Sequence, residues 1–114
     1  MPARQSRVVL VTCGTLAEAK RIARATVEAK LAACVNVMQN PVESVYRWKD
    51  KVEVSREYLL IIKSTARRLL ELERLVRSLH RYDVPEFLVL PVDAGSHEYL
   101  QWLVESVKPS QGKK

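Results

Sequence analysis

The soft donors of this chain are Cys13, Cys34, His80 and His97. Thiolate and imidazole together suit copper better than Mg²⁺ or Ca²⁺. The two cysteines form no CxxC pair, and in a cytosolic chain they are read as reduced thiols. Nucleophilic and phosphate chemistry find less support. The only glycines are Gly14, Gly95 and Gly112, so there is no glycine-rich phosphate loop, and no serine stands in a G-x-S-x-G context. An enzyme is not expected.

Which donors meet depends on the elements that carry them. Residues 33–63 read as a long hairpin. In its first arm Ser44, Tyr46 and Trp48 alternate with Glu43, Val45, Arg47 and Lys49. In its second arm Val52, Val54, Tyr58, Leu60 and Ile62 share one face. Lys49-Asp50-Lys51 is the reversal point, and Asn40-Pro41 predicts a bend in the first arm. A hairpin of this length overhangs its own domain, and a long apolar edge invites a second chain.

The chain has 114 residues, enough for one domain with a proper core. Residues 1–107 are read as that domain and 108–114 as a disordered tail. Val8–Thr12 reads as a central strand, and Thr15-Leu16-Ala17-Glu18 as a capping box that opens a helix. Ser64 or Thr65 caps a second helix, Phe87–Leu90 is a further strand, and Ser96 caps a last helix. The order is β-α-β-β-α-β-α. It predicts an α+β, ferredoxin-like βαββαβ sandwich with a C-terminal helix and both main helices on one sheet face. The bare second face and the overhanging hairpin both predict oligomerisation. This topology also brings Cys13, Tyr46, Trp48, His80, Arg81 and Tyr82 to one pole.

The formal net charge is +6, yet the basic residues are interleaved with Glu18, Glu28, Glu71 and Glu73 on helical patterns. No nucleic-acid partner is expected. The longest apolar run, Leu59–Ile62, is far short of the roughly 20 residues of a membrane span, so no membrane insertion is expected. The N-terminus MPARQSR lacks a signal-peptide core, which makes the cytoplasm the expected location.

Several linked segments carry a resemblance. They are Lys30-Leu31-Ala32-Ala33-Cys34-Val35-Asn36, Glu43-Ser44-Val45-Tyr46-Arg47-Trp48, Ile61-Ile62-Lys63, His80-Arg81-Tyr82-Asp83-Val84-Pro85-Glu86 and Tyr99-Leu100-Gln101-Trp102-Leu103. In these the chain resembles the CutA family of divalent-cation-tolerance proteins. The resemblance implies a homotrimer similar in architecture to PII signalling proteins, a link to metal-ion tolerance, and copper binding. The expected cofactor is copper or another divalent cation, and with only two protein ligands it is not expected to be needed for folding. Val11 stands where the family's ligand-like cysteine falls, and Leu79 replaces one of a histidine pair. Cys13 and His80 are then the expected metal ligands of a weak site. Tyr46, Trp48, Glu57, Lys63, Tyr82 and Glu86 are expected to line an intersubunit cleft. There they either lock the hairpin to its neighbour or receive a small anion or metabolite. The alternative function is a PII-like signalling protein with a small ligand in that cleft and an unidentified protein partner.

Overall fold

The computed structural model describes residues 1–109. The tail read at 108–114 therefore lies, from residue 110 onward, outside the described residues. After a short helix α1 (Pro2–Gln5), which no sequence pattern announces, β1 (Ser6–Cys13) enters the middle of an antiparallel sheet. It pairs with β4 (Lys51–Thr65) on one side and β5 (Leu88–Pro91) on the other. β2 (Cys34–Val37) lies beyond β4, giving the order β2-β4-β1-β5, and β3 (Val42–Trp48) pairs further along β4. The interruption between β2 and β3 falls at Pro41, which has no N–H to give to the ladder.

Strand alternation sorts the side chains. Val9, Val11 and Cys13 share a face with Leu60 and Ile62, and all five are fully buried. They pack with Ala19 and Ile22 of α2 (Leu16–Glu28) and with Leu72 and Val76 of α3 (Leu69–Leu79). Burying each such large side chain contributes about 1.5–3 kcal/mol. The opposite face is only partly covered. α4 (His97–Ser106) lies against β4 and β1 with Leu100 and Leu103 buried, outside the main cluster. Leu88 and Leu90 stay 55% and 44% exposed.

The helix ends explain the loops that carry the site. The Thr15 hydroxyl accepts from the Glu18 N–H at 3.1 Å, which starts α2. At its other end, Leu31 N–H donates to Thr26 O and Lys30 N–H to Val27 O, a Schellman pair with Lys30 at φ 61°. The expected Ser64 or Thr65 cap of the second helix is absent. Ser64 Oγ instead donates to Leu31 O at 2.7 Å, tying sheet to loop, and a 3₁₀ turn (Ala66–Arg68) leads into α3.

The hairpin reverses at Lys49-Asp50, with φ 51° and 66° and Trp48 paired to Lys51. Two consecutive left-handed residues make a type I′ turn, whose twist matches that of the strands. Val45 and Val54 pair across one face of the ribbon, and Tyr46 and Trp48 lie on the other. The expected overhang is therefore two-sided: valines 60–64% exposed on one face, aromatics on the other.

Candidate functional site

At one pole, the end of β1 meets the end of α3 and the start of α2. Cys13 closes β1, Glu18 sits in the first turn of α2, and His80 caps α3. One donor atom from each lies within 4.8 Å of the other two. The pair Cys13 and His80 is thus adjacent, and Glu18 is a third donor that sequence reasoning missed. Its capping-box reading absorbed it. In the fold Glu18 is only 2% exposed, and its carboxylate turns toward the α3 terminus.

Hydrogen bonds set the protons. Tyr82 N–H donates to His80 Nδ1 at 3.1 Å, so that nitrogen carries the lone pair. His80 Nε2–H then donates to Thr12 O at 2.7 Å. Glu18 Oε2 accepts from Arg81 N–H at 2.8 Å and stands 3.4 Å from the same His80 Nδ1. Burial, reinforced by the charges of Glu18 and Glu57 and opposed by Arg21, pushes the Cys13 thiol up to about 12. The thiol is protonated at neutral pH, which makes it a poor nucleophile. A cation entering here must expel that proton and displace the Tyr82 N–H from the imidazole.

Tyr82 links this cluster to a groove. Its ring lies 4.7 Å from that of His80, and its hydroxyl donates to Glu57 Oε2 at 2.8 Å. Burial and the Glu57 contact raise the Tyr82 phenol far above its ordinary value, so it remains a donor. The groove, of about 670 Å³, is walled by Tyr46 and Trp48 from the hairpin and by the 82–86 segment. Glu57 and Glu86 both line it, and burial followed by the Glu57 charge raises the Glu86 carboxyl.

Five of the six residues expected in the cleft therefore line one groove. Lys63 does not. It lies six residues beyond Glu57 on β4, roughly 20 Å along the strand. Its Nζ instead contacts Asn36 Oδ1 and lies 3.7 Å from Cys34 Sγ. Without Lys63, and with Asp83 added, the groove's charge is the reverse of what an anion needs. Of the remaining soft donors, Cys34 sits on β2 beside Lys63, and His97 is exposed at the start of α4.

A family model described as "CutA1 divalent ion tolerance protein" matches residues 7–106. That span holds the buried cluster and the groove alike. The chain belongs to the CutA1 divalent ion tolerance family. Among its relatives, the "Divalent-cation tolerance protein CutA" of Thermus thermophilus is 43% identical over 99 residues, covering 87% of this chain and 95% of the relative. The solved Thermus structure superposes with a TM-score of 0.88 at 42% identity, over 90% of this chain and 99% of that one. "Protein CutA, chloroplastic" of Arabidopsis thaliana is 45% identical over 103 residues and longer; the match covers 90% of this chain but 56% of that relative. The Archaeoglobus fulgidus structure, described as a periplasmic divalent cation tolerance protein, gives a TM-score of 0.86 at 34% identity over 90% of this chain and 99% of that one. The family thus carries more than one cellular address. Among the described residues of this CutA1 chain, no helix is long and apolar enough to cross a membrane.

Proposed function

We propose that this CutA1 chain serves divalent-cation tolerance as a non-enzymatic homotrimer with a weak copper site at Cys13, Glu18 and His80. The convergence of a thiol, an imidazole and a carboxylate within 4.8 Å is the observation that carries the metal reading. Sulfur and nitrogen donors fit copper. Weakness follows from the protonated thiol and from an imidazole whose two nitrogens already have partners. The metal is not required for folding, because the core is already closed over Val9, Val11, Leu60 and Ile62.

The architecture we infer is ferredoxin-like with PII-like trimeric assembly. The antiparallel order β2-β4-β1-β5 and the packing of α2 and α3 on one face support it. Exposed Val45, Val52 and Val54 on the ribbon, together with the half-open second sheet face, support a closed ring of copies. Two free thiols favour a reducing compartment, and we assign the cytoplasm. No observation favours a PII-like signalling role over this reading.

The test is a copper titration of the native chain beside Cys13→Ser, Glu18→Gln and His80→Ala, with molar mass followed by light scattering. Expected are a mass about three times 13.0 kDa and an affinity that rises with pH, as the thiol proton becomes easier to expel. Copper affinity equal in all four proteins would refute the metal site. A stable monomer at micromolar concentration would refute the assembly.

A further inference from the structure

The groove beside the hairpin is an island of the opposite sign. The chain carries a formal charge of +6, yet the groove is lined by Glu57, Asp83 and Glu86 and by no basic side chain. Glu57 is only 7% exposed. One of its oxygens accepts from Tyr82, and no ion pair among the described residues engages Glu57, Asp83 or Glu86. Within one chain, a nearly buried carboxylate facing a cavity without a cation is an unbalanced charge, which folded chains normally avoid; Val45, assigned above to contacts between copies, also lines the groove, so the assembled protein is the form to test. The same walls hold Tyr46, Trp48 and Tyr82, whose ring faces attract cations. Trp48 already does so within the chain: Lys49 Nζ stands 6.0 Å from its ring centroid.

We propose that this groove binds a small organic ammonium ion, with the aromatic rings against its alkyl groups and the carboxylates balancing its charge. Two observations separate this ligand from the alternatives. The three carboxylates do not gather into a metal-sized cluster; among the described residues, the group that meets that spacing is Cys13, Glu18 and His80. A compact divalent ion would need such a cluster, whereas a bulky, diffuse cation does not. The volume, about 670 Å³, lies within the usual range of small-molecule sites, roughly 300–1,000 Å³. Anions are repelled by all three carboxylates. Burial first and the Glu57 charge second raise the Glu86 carboxyl, and an incoming cation offsets the second of these.

The experiment follows Trp48 fluorescence in a Trp102→Phe chain, because Trp102 lies on α4 away from the groove. The assembled protein is titrated with choline, and separately with its neutral carbon isostere 3,3-dimethylbutan-1-ol. Ionic strength is held constant and a chelator is present, so the copper reading does not enter. Saturable choline binding is expected, about tenfold tighter than the isostere, since one order of magnitude matches the strength of a partly desolvated cation–π and charge contact. Glu86→Gln and Asp83→Asn, which keep the Trp48 reporter and leave the Tyr82–Glu57 bond intact, should each weaken choline at least threefold. Equal binding of choline and isostere would overturn the proposal, as would unchanged affinity in both variants. So would displacement of choline by an equimolar amount of free Mg²⁺, added beyond the chelator's capacity, or no saturable response to choline at all.

Discussion

Removing a single oxygen tests whether the groove is built around Tyr82. In Tyr82→Phe the ring keeps its place 4.7 Å from His80, but Glu57 loses the donor that held it at 2.8 Å. A hydrogen bond to a charged acceptor contributes about 1.5–3 kcal/mol. Glu57 is 7% exposed but Tyr82 is 37% exposed, so water reaches one side of the bond. We therefore expect a loss near the lower end, about 1.5 kcal/mol. The measurement is equilibrium denaturation at fixed protein concentration, because assembly makes stability concentration-dependent. A double-mutant cycle with Glu57→Gln should return a coupling of about 1 kcal/mol or more. Gly14 provides an internal check. A Cβ there would meet the Tyr82 hydroxyl at 3.2 Å but the ring carbon Cε1 only at 3.6 Å. Gly14→Ala should then destabilise the native chain by about 1 kcal/mol through overpacking and cost far less in the Tyr82→Phe background. A Tyr82→Phe change under about 0.5 kcal/mol with an additive cycle would refute this account of the site.

Three further outcomes are expected. Stability should fall as pH rises from about 9 toward 12, because the unfolded thiol of Cys13 ionises near 9.0 while the folded one holds its proton to about 12. The slope from this group reaches about 1.4 kcal/mol per pH unit, and denaturation of Cys13→Ser over the same range should be flatter by that amount; parallel curves would refute it. Lys30→Gly should raise stability by about 0.5 kcal/mol, since φ 61° strains lysine and suits glycine, offset by the flexibility glycine adds to the unfolded chain; a lower melting temperature would refute it. Deleting residues 45–54 removes the exposed valines and the turn, and should leave a monomeric or aggregating product by light scattering; an intact trimer would move the assembly contacts elsewhere.

Local pattern accounted for much of the site's scaffold. The continuous apolar run of β1, the Thr15 cap, the three-and-four spacing of α2, and the break before Pro85 all concern neighbours in sequence, whose geometry the backbone dictates directly. Element order alone was enough to bring Cys13 and His80 to the same pole, since antiparallel strands and returning helices alternate ends. The family motifs placed Tyr46, Trp48, Glu57, Lys63, Tyr82 and Glu86 in one set, and the groove holds all of them but Lys63.

Other features depended on which of several local options won in three dimensions. Glu18 had two uses open to it, and the free Arg81 N–H drew it away from its own helix end. Ser64 had the same choice and went to Leu31 O. Lys63 and Glu57 share strand parity, but parity says nothing about distance along a strand of 15 residues. The tautomer of His80 is set by Tyr82 N–H and Thr12 O, and the latter lies 68 residues away in the chain. By itself the sequence determined the main strands and helices, their order and the residue types at the pole, but not the short helix at Pro2–Gln5 or the 3₁₀ turn at Ala66–Arg68. The proton positions, the third donor and the sign of the groove were decided by the tertiary structure, because each depends on which polar groups burial leaves within reach of one another.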